Sequence, residues 1–247
     1  MHAALRAPLL ALATSLAALS APAFASDGGC GEPVDTERPQ YIIGYGSLMQ
    51  DDSRLRTSPK AGPAHPVEVE GYRRGWFARA SLARAGKTFL GLQSEPKSHL
   101  NAVIYQVNPA EVDATDKRES IYCRVSVSLS GVKPLERGWA PERDAQAWIY
   151  LSLPGSVAAP DSGYPIAQSY LDVFMSGCLE QEQRYGLRGF SRECLATTDG
   201  WSEHWVDDRI DPRHPLLYQP KAFQIDKLLS GEVPRYYFSR VRIESGG

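Results

Sequence analysis

The sequence predicts an α+β fold, a small, mostly antiparallel barrel or curled sheet with flanking helices and an extended C-terminal wrap. Three observations point there. Runs of two-residue alternation crowd the stretch from Val67 to Leu153, well-capped helices are few, and the chain beyond Gly189 is broken up by tryptophan and proline.

Taken in order, residues 1–25 follow the plan of a secretory signal, with Arg6, an apolar stretch from Pro8 to Leu19 and the small-residue site Ala23-Phe24-Ala25. That stretch is shorter than the roughly 20 residues needed to cross a bilayer, so the expectation is an exported, periplasmic or secreted chain with no membrane partner after cleavage. Residues 26–39, rich in Gly, Pro and charge, read as a linker or extended arm. Residues 40–155 are assigned to the barrel core and 156–247 to a helical and irregular extension packed on it. Lys and Arg number 27 against 29 Asp and Glu, a net charge of −2, which gives no overall pull toward nucleic acid.

From Tyr41 to Tyr45 a buried strand runs into the tight turn Gly46-Ser47, and Asp51, Asp52 and Ser53 supply capping groups for a short helical turn. Alternating runs at Val67–Tyr72, Gly75–Arg79, Phe89–Ser94 and Val103–Val107 read as separate antiparallel strands. Asn108-Pro109 with Glu111 starts a helix ending near Glu119. In the next strand Ile121, Cys123, Val125, Val127 and Leu129 share one face, and Tyr122, Arg124, Ser126 and Ser128 the other. Ala147 to Leu153 is its partner, ended by Pro154-Gly155. Pro165 to Tyr185 repeats apolar or small residues at helical period, and beyond Gly189 loops and short turns are expected.

Cys30, Cys123, Cys178 and Cys194 can pair in three ways in an oxidising compartment. Cys178 and Cys194 are near enough to bridge a helix to the loop after it, and free buried thiols remain an alternative.

Two features carry possible chemistry. The turn Gly44-Tyr45-Gly46-Ser47-Leu48-Met49 presents consecutive backbone N–H groups with little side chain in the way, so it can form an anion-binding concavity; alone, such a turn is more often only a turn. Ser47 lacks the flanking glycines of a nucleophile elbow. Glu119 falls at a helix–strand junction near Tyr122 and Arg124, where partial burial can lift a carboxyl toward neutral pH and suit it to acid-base work. The plainer alternative is an ion pair with Arg118 or Arg124. His2, His65, His99, His204 and His214 form no paired metal motif, and Cys123 on an apolar face is a poor nucleophile, so neither a metal nor a cysteine hydrolase is favoured. Trp201, Trp205, Asp207, Asp208 and Arg209 form a dense cluster that either packs a loop or borders the pocket.

Together the turn at 44–49 and, some seventy residues on, Asp116-Lys117-Arg118-Glu119, Tyr122 and Arg124-Val125 resemble the γ-glutamylcyclotransferase superfamily, and within it the ChaC-like branch. The resemblance covers about Tyr41 to Leu153, and Pro165 to Glu180 is compatible with it. It implies a six-stranded barrel in which Tyr45, Gly46, Ser47 and Leu48, with Tyr122, bind a small γ-glutamyl substrate. Glu119 would be the acid-base group closing the glutamyl chain to 5-oxoproline, with no metal or cofactor. Relatives often carry glycine before the tyrosine that follows the glutamate; here Ile121 stands there. The alternative implied function is a periplasmic binding or scaffold module with the same fold and no turnover.

Overall fold

A computed structural model describes residues 30–82, 85–212 and 221–242. The signal segment 1–25, the first residues of the arm, and His2, His214, Pro215 and Pro220 lie outside these.

The described strands are β1 (Gln40–Gly44), β2 (His65–Leu82), β3 (Ala85–Val107), β4 (Tyr122–Val127), β5 (Val132–Pro134), β6 (Gln146–Ser152), β7 (Ile166–Ala167), β8 (Thr198–Asp199), β9 (Trp205–Asp207) and β10 (Val241–Arg242). The helices are α1 (Asp51–Leu55), α2 (Pro109–Arg118), α3 (Gln168–Tyr185), α4 (Phe190–Ala196), α5 (Ala222–Glu232) and α6 (Pro234–Ser239). The α+β class holds. The mostly antiparallel barrel does not: β1–β6, β2–β8, β3–β7, β7–β9 and β9–β10 pair in parallel, so the sheet is mixed. Its main path runs β10-β9-β7-β3-β1-β6-β4, and among the described residues β4 finds no second partner to close a ring.

Four expected strands merge into two. β2 and β3 form one long antiparallel ribbon, with register shifts between Glu70 and Tyr72 and between Trp76 and Ala78. The first shift is made at Gly71, whose φ of 88° only glycine adopts easily. These bulges bend one ribbon where the alternation pattern reads a break.

β1 is buried along its length between β3 and β6, which explains its unbroken apolar run. Around it lie Trp76, Leu90, Tyr105, Trp148 and Ile149, with the Trp148 indole N–H donating to Gln40 Oε1 at 2.8 Å. α2 starts as its sequence dictates: the Asn108 side chain accepts from the Glu111 amide, Glu111 reaches back to the Asn108 amide, and Pro109 fills the first turn. α1 does not use its expected caps, because Asp51 turns to Arg54 and Arg184 while its own amide donates to Glu180.

On β4 the polar face is the inward one at the start. Arg124 is buried, stacked over Trp148 and paired with Asp116, whereas Cys123 bonds to Cys30 and ties the N-terminal arm to this edge. Cys123 is therefore a disulfide partner, not a packed thiol. The second bridge, Cys178–Cys194, staples α3 to α4. Beyond Gly189 the chain is more helical than expected. α4 and α6 have only 7 and 6 residues and gain order from the staple and from packing of Phe190, Cys194, Leu195 and Tyr237. No described helix is long and apolar enough to cross a membrane.

Candidate active site

The glycine-rich turn follows β1 directly. Ser47–Met49 forms one 3₁₀ turn, closed by the Met49 amide donating to Gly46 O at 3.0 Å. Arg74, fully buried beneath it, donates to Tyr45 O at 3.1 Å, to Asn101 O and Oδ1, to Cys194 O and to the hydroxyls of Thr197 and Thr198. One guanidinium thus fixes the turn to β3 and α4. Burial pushes its pKa down to about 9, nearby Glu193 resisting, so the group is charged at neutral pH.

Glu119 is the residue at which α2 stops. Its amide completes the helix by donating to Thr115 O at 2.8 Å, and the Tyr122 amide returns to Glu119 O at 2.9 Å, turning the chain into β4. That turn brings Glu119 and Tyr122 to one cavity despite Ile121 between them. The cavity is lined by Tyr45, Gly46, Ser47, Leu48, Leu90, Glu119, Tyr122, Tyr150 and Tyr170, so all six residues singled out in the sequence meet there.

Four tyrosines surround the carboxyl, each held from outside. Tyr45 donates its hydroxyl to Tyr150 O at 2.7 Å, Tyr122 to Leu90 O at 2.8 Å, and Tyr150 to Asp116 Oδ1 at 2.7 Å. Tyr170 reaches in from α3, its ring edge-on to Phe89 and Trp76. Burial raises all four phenols, so they are neutral at physiological pH. Burial likewise raises the Glu119 carboxyl above its ordinary range, opposed by the charge of Arg118, whose Nε lies 3.2 Å from Glu119 Oε1. Arg124 is not a partner of Glu119, since Asp116 takes it.

Tyr150 and Tyr170 escaped the sequence reading because each also fits an apolar core position. The signal available for Tyr170 was only its place in the helical stripe. Its hydroxyl nonetheless lies where a Cβ on Gly46 would come within 2.8 Å, so it stands directly over the glycine of the turn. The remaining space is about 20 Å³, room for roughly one water.

The tail cluster does not line this cavity. Trp201 packs on Trp76 and Trp205, and Arg209 grips Asp172 and Asp226, which buttresses α3 from behind. A larger cleft of about 400 Å³ lies by the α3–α4 turn among Glu68, His99, Asn101, Phe190 and Glu193, away from every residue expected to act. Among the described residues no group of His, Cys, Asp and Glu could hold a metal ion.

No family model matches the sequence, and no curated protein does. Solved structures similar to this chain include an uncharacterised human protein at 13% identity, covering 78% of this chain and 99% of its own, with a TM-score of 0.48. A γ-glutamyl cyclotransferase aligns at 12% identity over the same shares with a TM-score of 0.49. A glutathione-specific γ-glutamyl cyclotransferase from yeast aligns at 12% identity, covering 81% and 97%, with a TM-score of 0.40.

Proposed function

We propose that this chain is a γ-glutamylcyclotransferase-type enzyme, of the ChaC-like kind its motif order resembles, that cyclises the γ-glutamyl group of a small peptide, amino-acid or amine conjugate to 5-oxoproline. The observation that carries this reading is a carboxyl of raised pKa with one charged neighbour, facing a glycine turn that offers backbone amides.

In the proposed reaction the substrate's α-carboxylate lies against the amides of residues 45–48, with Tyr122 beside it. Ionised Glu119 takes a proton from the α-ammonium. The freed nitrogen attacks the γ-carbonyl carbon, a C–N bond forms, and the carbonyl oxygen becomes an oxyanion that amide donors of the turn can meet. Collapse breaks the original γ-amide C–N bond as protonated Glu119 returns its proton to the departing nitrogen, and the second proton of the ring nitrogen passes to the released amine, which leaves as ammonium beside neutral lactam and ionised Glu119. Because the nucleophile belongs to the substrate, folding it into a reactive shape is the larger task and can be worth about 7 kcal/mol or more. Proton transfer contributes roughly 10² to 10⁴ in rate.

A γ-glutamyl head is far larger than one water, so the reading requires the Tyr170 ring to leave the turn as substrate enters. The second reading, a binding module of this fold without turnover, requires the same opening and differs only in making no product. Export to an oxidising compartment remains part of the proposal, supported by the two disulfides.

The test is to incubate purified protein with glutathione, γ-glutamyl amino acids and γ-glutamylamines between pH 6 and 9, following 5-oxoproline and binding heat. Product from any of them supports the enzyme. Binding without product gives the module, and neither outcome from any compound ends both readings.

A further inference from the structure

Arg118 touches more of the site than an ion-pair partner needs to. From the last residue of α2 its Nη1 donates to Ser53 O at 2.6 Å and Thr57 Oγ1 at 2.9 Å, and its Nη2 to Ser53 Oγ at 2.8 Å and Ser47 Oγ at 3.1 Å. Its Nε faces Glu119. One planar fork therefore joins the glycine-rich turn, α1 and the carboxyl, three segments that no other described side chain holds together. Arg54, the arginine of α1, is a useful contrast. It is buried with Nε and Nη1 without a hydrogen-bond partner, pairs with Asp51 and lies over the Tyr105 ring, neither of which lines the cavity.

We propose that Arg118 is a positioning residue, which aims Glu119 and seats Ser47 at once without touching the substrate. The proposal rests on the cyclotransferase reading for its kinetic half. Its structural half stands on the fork alone.

The groups facing Glu119 are Arg118 from α2, Tyr45 from the turn, Tyr122 from β4, Tyr150 from β6 and Tyr170 from α3, with Tyr105 of β3 within electrostatic reach. The phenols are neutral, so Arg118 supplies the charge that holds the carboxyl down against burial. Removing that charge should move the Glu119 midpoint further up.

The experiment is a carbon-13 NMR titration of glutamate-labelled protein, with the Glu119 resonance identified by its loss in Glu119→Gln, run on wild type, Arg118→Gln and Arg118→Lys. Arg118→Gln is expected to raise the Glu119 midpoint by about one pH unit. Arg118→Lys keeps the charge and should leave the midpoint within a few tenths, while losing the fork to Ser53, Thr57 and Ser47. In kinetics the acidic limb should follow the midpoint in the glutamine variant. In the lysine variant KM should rise about tenfold with the limb in place. A glutamine variant with an unmoved midpoint overturns the proposal, and so does a lysine variant with wild-type KM and an unchanged Ser47 amide resonance. Should glutamine prevent folding, the lysine variant decides. If wild type turns over no γ-glutamyl compound the cyclotransferase reading fails, while the titration and the Ser47 resonance still decide whether Arg118 couples turn and carboxyl.

Discussion

Glu119 and Asp172 are both carboxylates that folding removes from water, and their surroundings treat them in opposite ways. Asp172, with no exposed side chain, accepts from Gln168 Nε2 at 2.9 Å and from Arg209 Nε and Nη2 at 2.7 and 2.8 Å, a bidentate grip shared with Asp226. Burial pushes its carboxyl up while Arg209 pulls it down. Burial likewise works against the Arg209 charge, and the two aspartates more than reverse that, raising the guanidinium. The paired hydrogen bonds leave the proton on the arginine. Glu119 has a single cation, a tight ring of phenols, and a cavity in front of it. Burial is common to both carboxyls; what sets Glu119 apart is a single cation and a cavity shared with the glycine-rich turn, the surroundings the proposed acid-base role requires.

The contrast can be broken most sharply by Glu119→Gln. Turnover should fall at least 10²- to 10⁴-fold, about 3–5 kcal/mol of barrier, with the thermal midpoint kept or slightly raised at neutral pH. The sign follows from the raised pKa: the carboxyl contributes stability while protonated, below the ordinary glutamate range, and loses it as pH climbs through its folded value. A glutamine variant near wild-type rate would remove Glu119 from the mechanism. Asp172→Ala should do the converse, costing about 3 kcal/mol or more in denaturant unfolding because Arg209 loses its bidentate partner, with turnover per folded molecule little changed.

Gly177→Ala probes the scaffold between the two sites. A Cβ there would come within 2.5 Å of Gln50 N and 2.6 Å of Met49 C, so α3 must lift off the segment that follows the turn, at a cost of about 1–3 kcal/mol measured by chemical denaturation. A neutral result would show that α3 rides loosely on that segment. In wild type, kcat/KM should fall as pH drops through a value above the ordinary glutamate range, since protonated Glu119 cannot accept the ammonium proton. An acidic limb at or below pH 4 would contradict its raised pKa. The smallest effect is expected from Tyr170→Phe. Without the hydroxyl the space over Gly46 opens to the ligand, and KM should drop a few-fold; a rise in KM would instead make Tyr170 a substrate contact.

The turn at 44–49 and the placing of α2 were legible in the sequence because local chemistry determines them: a strand running into glycine, and a capping box at Asn108 and Glu111 that starts the helix ending at Glu119. That the two meet depends on β1 lying between β3 and β6, a non-local fact with no local signal. The long β2–β3 ribbon was misread as four strands because its bulges interrupt the alternation without interrupting the hydrogen bonds. α4 and α6 were missed because helices of one or two turns owe more to their neighbours than to their own propensities. Tyr150 and Tyr170 were overlooked since a tyrosine closing a cavity and a tyrosine filling a core occupy the same pattern.

The parallel pairing of β1 with β6 joins residues about a hundred positions apart, Gln40 opposite Gln146 and Ile42 opposite Trp148. Until that late segment arrives, Tyr45 has no Tyr150 carbonyl to anchor it, so the turn at 44–49 is expected to be among the last parts of the molecule to take shape. Pulsed hydrogen exchange during refolding should find the amides of α2 protected before those of β1, with competence to act following the slower of the two.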